Sequence, residues 1–167
     1  MTALHTEIWF KELFSRYYER LRNYLYYLSG DISWTEDAVQ EVFIILWEKK
    51  NSIDDQTIAP YLFKISRNLF LKQKRHDEVR LKFLKEQPTQ ESENTVTSQM
   101  EKTEFDLKLQ AVLSELPSGC RTVFLMSRME EMSNKKIAES LGISLKAVEK
   151  QITKALKILR VKLGDKL

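Results

Sequence analysis

The stretch SNKKIAESLGISLKAVEKQITKALKILR, residues 133–160, predicts two helices joined by a tight turn. Ile137, Ala138 and Leu141 give the first helix an apolar face. On the second helix, apolar residues recur at spacings of four, three and four, at Val148, Ile152, Ala155 and Leu159. This spacing is a helical stripe, and the whole stretch predicts a helix-turn-helix.

The turn between the two helices has the residues that such a turn requires. Ala138 is small where two crossing helices approach closely, and Val148 would pack back onto the first helix. Gly142 can adopt the positive φ that ends a helix sharply. Ser144 is a natural N-cap, because its hydroxyl can accept a backbone N–H of the second helix.

The outer side of the second helix carries basic and amide side chains. Its lysines are Lys146, Lys150, Lys154 and Lys157, with Glu149, Gln151 and Thr153 between them. A solvated face is the simpler interpretation for a lone lysine-rich helix. Combined with the turn spacing, however, these side chains favour DNA binding, because they offer both phosphate contacts and hydrogen bonds to base edges in the major groove.

The composition limits the possible classes of protein. The 167 residues allow one medium domain or two small ones, and four Gly and three Pro favour an all-α fold over a turn-rich β fold. The single cysteine, Cys120, cannot form an internal disulfide, which fits a cytoplasmic protein. His5 and His76 are far apart without ligand partners, so neither a metal site nor a cofactor is expected. No signal peptide and no membrane span is visible.

Charge is unevenly distributed along the chain. Residues 117–167 carry 11 basic and 5 acidic groups, and residues 64–85 carry 8 and 2, so each block has a net charge of +6. Residues 86–116 carry 2 basic and 7 acidic groups. Two basic blocks around an acidic spacer suggest two separate nucleic-acid contacts.

Helical patterns also cover the first half of the chain. A first helix is predicted from apolar spacing at Leu4, Ile8, Phe14, Leu21, Leu25 and Leu28, which are expected in the core. Ser33 and Glu36 have the form of a capping box for a second helix. Residues 51–59 read as a polar loop, and Pro60 fits the first turn of a third helix with a basic end. The sequence therefore predicts a helical domain over residues 1–85, a linker over 86–103 and a second helical domain over 104–167.

Three segments in this order resemble the extracytoplasmic-function (ECF) sigma factors of bacterial RNA polymerase. TEDAVQEVFIILWEK, residues 35–49, is similar to the family's polymerase-binding helix. APYLFKISRNLFLKQKR, residues 59–75, is similar to its segment for the minus-10 promoter element, and residues 116–160 resemble its minus-35 domain.

The resemblance implies three sets of site residues. Polymerase docking is implied for Asp37, Gln40 and Glu41. Minus-10 binding, with capture of a flipped base by the loop, is implied for Asn51, Ser52, Asp54, Asp55, Lys64, Asn68, Lys72, Lys74 and Arg75. Minus-35 binding is implied for Ser144, Lys146, Ala147, Glu149, Lys150, Gln151 and Lys154.

The same resemblance implies the partners and the function. It implies core RNA polymerase, through the clamp helices and flap of its large subunits, promoter DNA, and an anti-sigma factor as regulator. The chain would then be an alternative sigma factor that directs promoter-specific initiation and is not itself an enzyme.

Other classes of protein explain less of the chain. A response-regulator-type transcription factor has a similar helix-turn-helix and binds DNA as a dimer, but the first half here lacks the strand pattern of a receiver domain. A helical adaptor would not explain two basic blocks. An enzyme is disfavoured because no phosphate loop or nucleophile–base pair is visible.

Overall fold

The computed structural model describes residues 2–84 and 103–164, and both ranges are helical. This part of the chain holds seven α-helices, one short 3₁₀ helix and no strand, so the predicted all-α class is confirmed. In chain order the elements are α1 (Ala3–Ser29), α2 (Ile32–Glu48), the 3₁₀ helix Asp55–Thr57, α3 (Ile58–Leu84), α4 (Glu104–Glu115), α5 (Ser118–Arg128), α6 (Asn134–Leu141) and α7 (Leu145–Leu163). None of the helices described has the length and apolarity needed to span a bilayer.

The described residues form two compact units. The first contains residues 2–25 and 31–84, and the second contains residues 26–30 and 103–164. The last turn of α1 therefore belongs to the same unit as α4 to α7. Of the predicted linker, residues 86–103, only Thr103 lies within the described residues, where it is the N-cap of α4. The division into domains at residues 85 and 104 stays a prediction.

In the first unit, α1, α2 and α3 each contribute an apolar face to one core. Tyr24 is fully buried, and its ring meets Phe63 edge-on with 5.1 Å between ring centroids. The other side chains at the centre of this core are Leu21, Leu25, Val39, Val42, Leu46 and Leu62, all fully buried. Because this core fixes the faces of α2 and α3, it also determines which of their polar residues point outward.

The start of α2 differs from the prediction. Its N-cap is Asp31, whose carboxylate accepts a hydrogen bond from the backbone N–H of Trp34 at 3.0 Å. The predicted capping box of Ser33 and Glu36 is therefore wrong. Glu36 instead pairs with Arg22 of α1, and this ion pair draws its carboxylate away from the helix end. An aspartate two residues earlier is an equally good cap, and the sequence alone did not distinguish between them.

The predicted helix-turn-helix is confirmed in the second unit. Ile137, Ala138 and Val148 are buried together with Val123 and Met126 of α5. Gly142 has φ 67° and ψ 32°, and the next backbone N–H, of Ile143, donates to the carbonyl of Ala138 at 3.1 Å. This left-handed residue ends α6 by satisfying its last carbonyls, as the sequence predicted.

Polar contacts hold the last turn of α1 within the second unit. The Arg121 guanidinium donates to the carbonyl of Leu28 at 2.8 Å and to that of Ser114 at 2.9 Å. The phenol of Tyr27 donates to the carboxylate of Asp106 at 3.0 Å. Burial, followed by this hydrogen bond, raises the pKa of Tyr27 to about 12, so the phenol remains a donor at neutral pH. The contacts of Arg121 with Leu28 and of Tyr27 with Asp106 join residues 93 and 79 positions apart, and no local pattern predicted them.

Candidate nucleic-acid interface

A row of lysines follows the exposed side of α7. The lysines at 146, 150, 154 and 157 are all exposed, and at 3.6 residues per turn they fall within a sector of about 80°. Val148, Ala155 and Leu159 are fully buried on the other side and fix the rotation of the helix. Ser144 caps the helix, since its hydroxyl accepts the N–H of Ala147 at 3.0 Å. The lysine row is therefore rigidly presented to solvent on the second helix of the motif.

The remaining minus-35 candidates differ in exposure and in their position relative to the lysine row. Glu149 is exposed beside it, whereas Ala147 and Gln151 are half-buried. The side-chain amide of Gln151 lies against α5, 3.6 Å from where a Cβ on Gly119 would stand. Its Oε1 is buried without a hydrogen-bond partner. The structure therefore places Gln151 beside α5 and away from the lysine row.

The start of α6 provides two further basic residues. Lys135 and Lys136 are both exposed in the first turn, two and three residues after the N-cap Ser133. In helix-turn-helix proteins the first helix crosses the DNA backbone, so these lysines stand where phosphates would be contacted. A basic pair in the first turn after an N-cap serine was the signal that could have identified them.

On α3, the basic residues divide between two faces. Lys64, Asn68, Lys72 and Arg75 are exposed and lie within a sector of about 80°. Lys74 is half-buried and points away from this sector. Arg67, counted in the basic block of the sequence, is only 4% exposed. The structure thus brings together four of the five minus-10 candidates on this helix.

The predicted base-capturing loop is more structured than expected. It contains the 3₁₀ helix and the first turn of α3, which begins at Ile58 and has Pro60 in that turn as predicted. Asp54 caps the 3₁₀ helix by accepting the Gln56 N–H at 3.1 Å. Asp55 accepts a hydrogen bond from the indole Nε1 of Trp9 at 3.0 Å. Both aspartates therefore shape the loop itself, while Asn51 and Ser52 are exposed at its start.

Trp9 is a residue that the sequence did not connect with this loop. It lies on α1, 46 positions before Asp55, and its indole N–H fixes one carboxylate oxygen of the loop. A contact over that distance leaves no periodic or motif signal. The loop conformation is therefore set by α1 as well as by the loop's own residues.

The three docking candidates on α2 are all exposed, and an apolar groove adjoins them. Asp37, Gln40 and Glu41 lie on the side of α2 opposite its buried residues. The groove, of about 530 Å³, is lined by Glu7, Phe10, Lys11, Phe14, Gln40, Phe43, Ile44 and Trp47. Phe10 and Trp47 meet edge-on, with ring centroids 5.2 Å apart. Gln40 is thus part of both the polar side of α2 and the groove.

The predicted core of α1 is wrong at three residues, of which Phe14 lines the groove. Leu4, Ile8 and Phe14 were expected inside but are 69%, 49% and 41% exposed. The amino-terminal half of α1 has more apolar surface than α2 covers, so part of it faces solvent. A signal was present in residues 42–47, VFIILW, which are apolar around more than one face of a helix.

Metal ligation has no visible basis in this interface. Among residues 2–84 and 103–164, no group of three or more His, Cys, Asp or Glu is arranged to hold an ion. The arrangement instead offers two basic faces, one acidic and amide-bearing helix side, and an apolar groove.

Comparison with known families agrees with this arrangement. Residues 13–79 match the family model "Sigma-70 region 2", and residues 106–159 match "Sigma-70, region 4". Together the two matches cover more than two thirds of the chain. The first contains α2, the loop and most of α3, and the second contains α5, the helix-turn-helix and most of α4 and α7.

Two named relatives support the same family. The chain is 28% identical over 152 residues to the ECF RNA polymerase sigma factor SigE of Mycolicibacterium smegmatis, covering 89% of this chain and 59% of that relative. It is 24% identical over 133 residues to the ECF RNA polymerase sigma factor SigM of Bacillus subtilis, covering 80% and 82%.

Among solved structures, the sigma factor RpoE in complex with the anti-sigma factor NepR from Bartonella quintana superposes with a TM-score of 0.73 at 21% identity, covering 95% of this chain and 98% of that one. CnrH in complex with the cytosolic domain of CnrY gives a TM-score of 0.62 at 23% identity, with 95% and 89% covered. These two likenesses establish the fold alone, and the family assignment rests on the family matches and the named relatives. The chain therefore belongs to the extracytoplasmic-function family of RNA polymerase sigma factors.

Proposed function

We infer that this chain is an alternative sigma factor that binds core RNA polymerase and directs promoter-specific initiation. The observation that carries this inference is the presence of two exposed basic faces, on α3 and α7, in separate compact units. A sigma factor needs two such faces because it contacts a promoter at two separated elements. The polymerase catalyses RNA synthesis, and the sigma factor itself is not an enzyme. Because bacterial promoters lie on the chromosome, we place the protein in the cytoplasm.

The second unit is proposed to bind the minus-35 element through α7. Its lysine row would contact phosphates and base edges in the major groove. Glu149, Lys150 and Lys154 are the candidates for base edges, with Lys146 nearer to a phosphate. Lys135 and Lys136 on α6 would add backbone contacts, which set the register of the helix without reading sequence.

The first unit is proposed to open and hold the minus-10 element. Flipping a base out of the stack costs a few kcal/mol, and a fixed polar loop can offset this cost. The Trp9–Asp55 and Asp54–Gln56 hydrogen bonds would help to hold the loop in this conformation before DNA binds. Lys64, Asn68, Lys72 and Arg75 would then hold the backbone of the separated strand.

Polymerase docking is proposed for the exposed side of α2 and the adjoining groove. Asp37 and Glu41 supply negative charge, while Ile44 and Trp47, 57% and 38% exposed, supply apolar area beside Gln40. Polar groups around an apolar centre are the usual composition of a protein interface. The clamp helices of the polymerase would bind here, and the flap would contact the second unit.

Regulation by an anti-sigma factor is also proposed. One solved structure of similar fold is the sigma factor RpoE in complex with the anti-sigma factor NepR, and another is CnrH in complex with the cytosolic domain of CnrY. A protein of that kind would keep this chain from the polymerase until it is released.

Run-off transcription with purified core polymerase tests the proposed function. Genomic fragments of the source bacterium serve as templates, and transcript 5′ ends are sequenced. We expect ends that cluster downstream of one shared pair of short elements when the chain is present and none with core enzyme alone. Tight binding of the free protein to a palindrome as a dimer would instead favour a response-regulator-type transcription factor.

A second prediction separates docking from DNA binding. Replacing Gln40 and Glu41 with alanine should weaken binding to core polymerase by roughly tenfold, because both lie at the edge of the proposed interface. Biolayer interferometry with immobilised core enzyme measures this loss. Glu12→Ala, an exposed carboxylate on α1, is the matched control and should bind normally. Unchanged affinity of the double variant would contradict the assigned docking surface.

A further inference from the structure

The carboxyl-terminal end of α3 exposes large apolar side chains on a basic helix. The sequence predicts that this helix ends near Arg80, whereas in the structure it continues to Leu84. Val79 is 54% exposed and Phe83 is 72% exposed. Covering a side chain as large as phenylalanine is worth about 1.5–3 kcal/mol, so a partner that stacks on Phe83 would gain that free energy.

Phe83 lies on the same side of α3 as the basic face proposed to bind the minus-10 strand. At 3.6 residues per turn, positions 64, 68, 72, 75, 79, 82 and 83 fall within a sector of about 100°. All seven side chains are exposed. Lys82 and Phe83 therefore extend one continuous face that is about 28 Å long from Lys64. Leu81, which is 58% exposed, points to the opposite side of the helix.

We propose that Lys82 and Phe83 form an additional single-stranded DNA subsite, in which the Phe83 ring stacks on an unpaired base and Lys82 contacts a phosphate. This subsite rests on the proposed function, because it lengthens the face assigned to the opened strand. Proteins that hold single strands combine basic side chains along the backbone with aromatic rings under the bases, and every base has a face for stacking.

Single-stranded nucleic acid fits this surface better than a protein partner. Residues 64–85 carry 8 basic and 2 acidic groups, and Lys72, Arg75 and Lys82 share the sector of Phe83. The phosphates of a single strand match the positive charge of this face, and its flat bases can stack on the Phe83 ring. Duplex DNA would match the charge alone, since its bases are stacked on each other and closed to a side-chain ring.

The test compares the binding of two single-stranded probes by fluorescence anisotropy. One is fluorescein-labelled oligodeoxythymidine, and the other is an abasic strand of equal length, which keeps the phosphates but has no bases. The full chain is measured alone and bound to core polymerase. Phe83→Ala and Phe83→Leu should both weaken thymidine binding by roughly tenfold and leave abasic binding unchanged, because each variant removes the ring. Lys82→Ala should lower the salt dependence on both probes by about 0.7 in log–log slope, while the Phe83 variants keep the wild-type slope.

Leu81→Ala is the matched control, since it removes a similarly exposed apolar side chain from the opposite side. The proposal is overturned if this control loses as much affinity, if Phe83→Leu binds like wild type, or if wild-type protein prefers neither probe. Loss of polymerase affinity with unchanged DNA binding would identify a protein interface and would also overturn it. Ring-dependent binding without promoter-directed run-off transcription would leave this subsite standing and remove the sigma-factor proposal.

Discussion

Replacing both Lys150 and Lys154 with alanine is expected to lower promoter use roughly 30-fold or more, while binding to core polymerase stays at the wild-type level. Each residue is exposed in the middle of the α7 lysine row, where the recognition helix would enter the major groove. Loss of a base-edge contact costs about 1–3 kcal/mol, and loss of a phosphate contact weakens binding to all sequences. Two losses of about 1 kcal/mol each already correspond to a roughly 30-fold change in binding.

Run-off transcription at several salt concentrations measures this effect. The double variant should also show a weaker salt dependence, because fewer counterions are released when fewer phosphates are contacted. Lys162→Ala is the matched control, since Lys162 lies on the same helix, outside the row, and pairs with Glu115 at 3.1 Å. An equal loss in the control would mean that net charge alone explains the effect. A parallel loss of polymerase affinity would place the two lysines at a different interface.

Replacing Arg121 with methionine is expected to destabilise the second unit by about 2–3 kcal/mol, the largest stability effect that we predict. The guanidinium donates to the carbonyls of Leu28, Ser114 and Leu116, at 2.8, 2.9 and 3.4 Å. Methionine has a similar length but no donor, so these carbonyls, which lie at helix ends, would lose their partner. Burial lowers the pKa of Arg121, yet an arginine remains charged at every accessible pH, so the effect should not vary between pH 5 and 8.

Hydrogen exchange of peptides from α5 and α7 measures this loss for the second unit. Tryptophan fluorescence reports separately on the first unit, because Trp9, Trp34 and Trp47 all belong to it. Lys162→Met is the matched control. It removes a cation from an exposed ion pair and should change stability by less than about 1 kcal/mol. Wild-type protection in the Arg121 variant would show that its hydrogen bonds contribute nothing net.

The helix-turn-helix shows how far local sequence can predict structure. Ser133, Gly142 and Ser144 act through hydrogen bonds to residues no more than five positions away. Ala138 and Val148 meet because the helix period and a tight turn leave them no other arrangement. Such contacts depend on residues that are close together in the sequence, so periodicity and capping rules can predict them. The all-α class, the motif and the lysine row on α7 followed from these rules.

The errors arose where two nearby residues compete or where a surplus of apolar residues must be divided. The cap of α2 is Asp31 and not Ser33, and Glu36 is held by Arg22 on another helix. Leu4, Ile8 and Phe14 have the spacing of a core but exceed the surface that α2 can cover. The position of the Gln151 side chain, towards Gly119 of α5, was likewise not predictable from the helix period, while its contact with the minus-35 element stays a prediction. Each outcome depends on a neighbour that the local pattern does not contain.

Local sequence was enough to predict the helices, the turn, the two basic blocks and, through resemblance, the family. These features depend on backbone hydrogen bonds, helix period and charge, all of which act over a few residues. The packing of the helices set three further features: the last turn of α1 belongs with the second unit, Trp9 fixes the loop at Asp55, and an apolar groove adjoins Gln40. These features involve contacts between residues 29 to 93 positions apart, such as Phe14–Phe43 in the groove and Leu28–Arg121 in the second unit, and a contact at that distance is decided by how whole helices pack.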